Sequence, residues 1–196
     1  MVKKFSSDID IDVGDRDYAL SFIPHVRAAI MDEGDEAQRR HPSGIYVTRM
    51  PYNPKTGTAA IDYEEAERRG YLKLDLLNVS VYNAIKDYAD YETLLKTEPP
   101  WEKLLDKKFC SKIIHVGNWH GVITQMPEPI NSIPRMAMFL SIIRPGKKHL
   151  IGKPWREISE TVWDNAGNDG GYTFKKSHAV SYSKLVSLHM NIINRE

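Results

Sequence analysis

The sequence predicts an α+β fold: a mixed sheet with flanking helices first, then a mainly helical region. Three observations predict it. Asp8-Ile9-Asp10-Ile11-Asp12 alternates acid and apolar side chains, which is the period of a strand. Tyr71-Leu72-Lys73-Leu74-Asp75 alternates in the same way. Beyond Pro99-Pro100 the apolar residues recur at helical spacing instead. The boundary expected from these patterns falls between 95 and 96, with an α+β region over 1–95 and a helical region over 96–196.

Taken in order, the first strand is expected over about Ser7 to Val13, ended by Gly14. On it Asp8, Asp10 and Asp12 share one face, and Ile9 and Ile11 supply the buried side. Asp15 can cap a short helix holding Tyr18, Leu20 and Phe22, which Pro24 stops. The apolar runs His25 to Met31 and Gly44 to Thr48, around the acidic turn Asp32-Glu33-Gly34-Asp35, read as a β-hairpin, with a helix as the alternative for the first arm. Pro51 to Gly57 is rich in turn formers. Ile61 to Arg69 has helical composition, with Gly70 where a C-terminal cap belongs. A strand through Asp75 follows, then helical spacing through Val79, Val81, Tyr82, Ile85 and Tyr88. Later helices are expected at Trp101–Leu105, Phe109–His115, Ile133–Ile143, Pro154–Trp163 and about Lys176–Ile193. A Gly/Asn/Asp loop, Asn165 to Gly171, precedes the last of them.

Composition narrows the function classes. Charged residues make up 27% and hydrophobic residues 41%, ordinary globular values. The formal net charge of +1 excludes a molecule that is basic throughout, so any phosphate binding must come from local clustering. The single Cys110 leaves no intrachain disulfide and fits a reducing compartment. No apolar run approaches the roughly 20 residues of a membrane span. The expectation is a cytoplasmic protein with no membrane partner.

Three acids on one strand face repel each other unless a cation lies between them. With Asp75 on an adjacent strand they form a carboxylate cluster suited to Mg2+. An EF-hand is excluded, because its sixth and twelfth positions hold Val13 and Ala19. Arg39-Arg40-His41-Pro42-Ser43-Gly44 can hold phosphate through guanidinium forks and backbone N–H groups, or can be a solvated basic turn. Lys73 lies on the face of Asp75, as its ion-pair partner or as a neutraliser of phosphate charge. Arg144-Pro145-Gly146-Lys147-Lys148-His149 ends an apolar helix, where cations are favoured in any case. Lys176, Ser177 and His178 open the final helix, whose N-terminal amides favour an anion. Cys110, His115 and His120 lack a zinc-ligand pattern and read as structural.

In this order, the Asp-x-Asp-x-Asp strand, His41-Pro42-Ser43-Gly44, Leu72-Lys73-Leu74-Asp75-Leu76-Leu77, Arg144-Pro145-Gly146 and Phe174-Lys175-Lys176-Ser177-His178-Ala179 resemble the alpha subunit of bacterial DNA polymerase III, the C-family replicative polymerases. The resemblance runs collinearly along nearly the whole chain. Its most distinctive piece is the Lys-Ser-His-Ala helix, although position 175 is Lys where the family usually carries Asn.

The resemblance implies a polymerase-β-like nucleotidyltransferase palm followed by a helical fingers-like region. It implies two Mg2+ ions on Asp8, Asp10 and Asp75, with Asp12 in reserve, and Lys73 on the triphosphate. Arg40, Ser43, Gly44, Arg144, Lys176, Ser177 and His178 join it as nucleotide-binding residues. The implied activity transfers a deoxynucleotide from dNTP to a 3′-hydroxyl of a DNA primer/template or single-strand end, with release of pyrophosphate, among other replication proteins. The alternative is a catalytically silent polymerase-derived module that binds DNA or the replisome.

Overall fold

β1 (Ile9–Val13) leads through Gly14 to Asp15, whose side chain accepts the Tyr18 N–H at 3.0 Å and so caps α1 (Arg16–Ser21). β2 (Val26–Met31) and β3 (Gln38–Tyr46) pair antiparallel, as the hairpin pattern predicts. β4 (Tyr52–Asn53) pairs antiparallel with β5 (Thr58–Asp62). Asp62 then accepts the Glu65 N–H at 2.8 Å and caps α2 (Tyr63–Arg68), after which Gly70 takes φ +83. β6 (Leu74–Asn78) completes the sheet, and a 3-10 turn at Ser80–Ala84 replaces the helix expected around Val79 to Tyr88. This computed structural model describes residues 9–31, 38–164 and 174–195. The expected loop Asn165 to Gly171 and the acidic turn at 32–35 lie outside them.

Among the described residues the strand order is β1-β6-β3-β2-β5-β4, with β1–β6 and β2–β5 parallel and the other neighbours antiparallel. The sheet is mixed, as expected for the α+β class. Register fixes its two faces. Asp10 lies opposite Asp75, and Asp75 opposite Gly44, so these three share a face. On that side Ala28, Tyr46, Ala59 and Ala66 form a buried cluster beneath α2. On the reverse side Leu20 of α1 packs with Ile45 and Leu76.

Two local features depart from the sequence reading. Ile9 and Ile11 do not bury β1; they are 41% and 40% exposed, because β1 is one of the two edge strands among the described residues and the small cluster under α1 centres on Leu20, Ile45 and Leu76. In β3 the register jumps from Arg27↔Ile45 to Ala29↔Arg40, so His41-Pro42-Ser43-Gly44 bulge out of the ladder with β2. Pro42 has no N–H to give to a ladder, which suits it to such a bulge.

The chain divides into Met1–Ala84 and Ile85–Glu196, earlier than the boundary the Pro99-Pro100 pair suggests. The second unit comprises α3 (Tyr88–Lys96), α4 (Lys107–Cys110), α5 (His120–Ile123), α6 (Ile133–Ile142), α7 (Trp155–Thr161) and α8 (Lys176–Arg195). The buried Asn191 of α8 donates to the Leu94 and Thr97 carbonyls at 2.9 and 2.8 Å, and Arg195 reaches Asp90 at 2.6 Å. Those ties make α3 part of the helical unit. Its core is α6, buried from Met136 to Ile142, against Ala179, Val186 and Met190 of α8. Trp101 and Trp155 are buried there, and Trp119 and Trp163 pack against the same core. The helix expected over Phe109–His115 stops at Cys110, which is buried, and His115 takes a left-handed φ of 65°. Among the described residues no helix is long and apolar enough to cross a membrane.

Candidate functional site

The site is built on β6 and the β3 bulge. Asp75 is only 6% exposed. Lys73 Nζ donates to its Oδ2, and Ser43 Oγ donates to its Oδ1 at 2.7 Å. His41 Nδ1 lies 3.7 Å from Oδ1. That same nitrogen accepts the Gly44 N–H at 2.8 Å and the Ser43 N–H at 3.3 Å, so it carries no proton and the contact is not a salt bridge. Burial pushes the Asp75 carboxyl up, but the hydrogen bonds from Lys73 and Ser43, with the Lys73 charge, hold it below the usual carboxylate range.

Tyr63, the first residue of α2, covers this group. Its ring meets His41 edge-on at 5.5 Å, and Lys73 Nζ lies 5.8 Å from its centroid. Gly44 is required by space: a Cβ there would stand 2.9 Å from His41 Nδ1, 2.9 Å from Lys73 Cδ and 3.0 Å from Ala28 Cβ. Tyr46 is buried on the same face, and its hydroxyl has no hydrogen-bond partner among the described residues. Burial first, then the charges of Asp75, Asp62 and Glu67, push its phenol up to about 12.

Register brings Asp10 directly beside Asp75 on the adjacent parallel strand. Asp12 is on the same face one pleat further on, where Tyr82 Oη donates to its Oδ2 at 3.1 Å. Asp8 lies outside the described residues. An all-oxygen donor set of Asp10, Asp12 and Asp75 has the chemistry Mg2+ takes. As the side chains stand, no three acid, His or Cys groups among the described residues converge on one point. The Asp75 oxygens meet an ammonium and a hydroxyl instead, so a divalent ion would share or displace Lys73. The donor chemistry and the register fit such an ion.

Arg40 is not brought to Asp75. It lines an open cleft of about 810 Å³ with Arg16, Asp17, Arg27, His25, His41 and Pro42. His41 belongs to both places. Arg16 Nη1 donates to the Pro42 carbonyl, which anchors α1 to the bulge. Arg16, Arg27 and His25 were not among the residues the sequence singles out. The one signal for Arg27 is its position as a lone cation in the apolar run Val26 to Ile30.

In the second unit Arg144 and His178 meet through Phe174: the guanidinium is 4.8 Å from the ring centroid, and the imidazole meets the same ring edge-on at 6.1 Å. Phe174 also stacks on Tyr182 at 5.4 Å. Lys176 Nζ lies 5.7 Å from the Trp163 ring, and Ser177 is exposed at the start of α8. Lys147, in the same basic segment as Arg144, is buried and donates to the Thr161 and Asp164 carbonyls at 2.9 and 2.7 Å, a cation closing the end of α7.

Comparison with protein-family models, with curated proteins and with solved structures finds no match to this chain.

Proposed function

We propose that the face of β1 and β6 is the centre of a Mg2+-dependent nucleotidyltransferase that passes a deoxynucleotide from dNTP to a 3′-hydroxyl and releases pyrophosphate. The observation that carries this reading is the register of Asp10 against Asp75 on neighbouring parallel strands. Asp10 and Asp75 would hold the metal, together with Asp8 as the sequence reading expects, and Asp12 is in reserve. Bound there, Mg2+ would supply Lewis acidity to the attacking hydroxyl and charge balance to the leaving pyrophosphate. The protein's own part is positional. Ser43 orients Asp75, His41 fixes the bulge, and Lys73 exchanges its carboxylate for a triphosphate oxygen.

In this reading the first unit serves as a polymerase-β-like palm and the second as a fingers-like region offering Arg144, Lys176, Ser177 and His178 to the nucleotide. The substrates are dNTP and a DNA primer/template or single-strand end, and the setting is cytoplasmic, among replication proteins. The test is incorporation of labelled dNTP into a primed strand with Mg2+, comparing wild type with Asp75→Asn. Turnover that survives the substitution removes this centre from consideration, and release of inorganic phosphate in place of pyrophosphate identifies a phosphohydrolase.

One observation favours a second reading, a silent binding module. Both Asp75 oxygens already have partners, Lys73 and Ser43. Under it a triphosphate binds without pyrophosphate ever forming.

A further inference from the structure

We infer that the cleft beside the β3 bulge is the seat of a single-stranded polynucleotide, held by its backbone phosphates. The cleft lies where α1, the start of β2 and the bulge meet, and its lining carries Arg16, Arg27 and Arg40 against one carboxylate, Asp17. Two histidines, His25 and His41, complete the polar wall. His25 Nδ1 lies 2.7 Å from the Ile23 carbonyl, which only accepts, so that nitrogen is the donor and the ring is held in one orientation. In a chain whose formal net charge is +1, this is a local excess of cations.

Internal pairing takes up only part of this charge. The Arg40 guanidinium is exposed and enters no hydrogen bond or ion pair with a described residue. Among the described residues the Arg27 guanidinium pairs only with Asp17, at 3.4 Å, and Asp17 is itself largely exposed, so this pair is worth little. Arg16 is anchored through the Pro42 carbonyl, and its buried Nε has no hydrogen bond among the described residues, Asp17 Oδ1 lying 3.8 Å away. Guanidinium forks suit phosphate oxygens.

The cleft is richer in groups for a backbone than for bases: no Phe, Tyr or Trp is among its lining residues, so it lacks the broad aromatic platforms on which bases stack best. It is open to solvent, which admits a strand passing through. His41 lines the cleft and also lies 3.7 Å from Asp75 Oδ1, so the bulge links the cleft, on the α1 side of the sheet, to the carboxylate on the other side. The inference rests on the polynucleotide substrate of the proposed reaction and names where that strand is gripped.

The test is fluorescence anisotropy of a labelled oligothymidylate on the full chain, titrated at several salt concentrations without Mg2+. Arg40→Ala is expected to weaken binding about five-fold or more and to lower the log–log salt slope by about 0.7, the loss of one single-strand phosphate contact. Arg27→Gln is expected to do the same. Asp75→Asn is expected to leave the affinity within about two-fold while abolishing incorporation. Affinity and slope unchanged in both arginine variants overturn the cleft, whatever Asp75→Asn does to turnover. Incorporation that persists in Asp75→Asn overturns the reaction, and the cleft then stands on the binding data alone. Free dNTP or inorganic pyrophosphate that displaces the oligonucleotide at lower concentration than a second oligonucleotide would assign the cleft to a nucleotide tail, and would also overturn the inference.

Discussion

Asp10 and Asp75 stand opposite one another on adjacent parallel strands, with carboxylates on the same face of the sheet. Residues so paired bring their side chains within reach of one small cation. The two substitutions Asp10→Asn and Asp75→Asn are each expected to lower dNTP incorporation on the order of 10²-fold or more. Combining them should add little beyond the worse single change if both act on one centre. Steady-state incorporation by the two single variants and the double variant checks this.

The lowered Asp75 carboxyl makes an acid-side prediction. A carboxyl whose folded pKa is depressed contributes stability that is present above its unfolded value, near 3.8, and is lost as the pH falls through the folded value. Denaturant unfolding should therefore show a component that disappears below about pH 4. Ser43→Ala removes one of the bonds holding the carboxyl down and should shrink that component. Lys73→Ala is expected to cost about 1–3 kcal/mol at neutral pH, since it strips a charged partner from a buried acid.

Tyr46 gives the opposite sign. Its phenol is raised to about 12, so the contribution is fully present below the ordinary value of 10.0 and is lost as the pH climbs toward 12. Tyr46→Phe deletes a buried hydroxyl that has no hydrogen-bond partner among the described residues. The variant is expected to be as stable as wild type or more so at pH 7, and to lose the alkaline component. Urea titrations at neutral and strongly alkaline pH check both halves.

Gly44→Ala tests the packing around the bulge. The added methyl meets His41, Lys73 and Ala28 at 3.0 Å or less. Lys73 can swing aside; the imidazole and the alanine on β2 cannot do so without moving the strand. The expected cost is about 1–3 kcal/mol by denaturant unfolding, with incorporation reduced because His41 and Lys73 no longer meet Asp75 as they do.

In the helical unit, Lys147→Met leaves the Thr161 and Asp164 carbonyls without their ammonium and is expected to cost about 1–3 kcal/mol. Lys148→Met, at the exposed neighbouring position, should stay within about 0.5 kcal/mol. Thermal unfolding of the pair separates a buried tie from a basic stretch.

The elements carried by short-range pattern were legible in the chain. Alternation located β1, Asp15 announced α1, Gly70 marked the end of α2, and the apolar repeat placed α6 and α8 nearly to the residue; the alternating run Tyr71–Asp75 pointed to β6 but the strand itself begins only at Leu74. What escaped depends on distant partners. Thr58-Ala59-Ala60-Ile61 has no strong strand composition and becomes β5 only because β2 and β4 flank it. Helical spacing at Ile85 to Tyr88 said nothing of Asn191 and Arg195, which fasten the following helix to α8. The Arg40 turn was visible as basic, but its meeting with Arg16 and Arg27 follows from the β3 bulge, which no local spacing encodes.

β1 is one of the two edge strands among the described residues, and it leaves Ile9 and Ile11 partly bare. An open strand margin with apolar side chains invites a foreign strand to add to it, and like charges repeated along it repel such an addition. The acids at 10 and 12 therefore guard solubility as well as whatever chemistry they perform. Neutralising them to probe a reaction also weakens that guard, so lost turnover in Asp10→Asn has meaning only for material that sedimentation shows to be free of self-association.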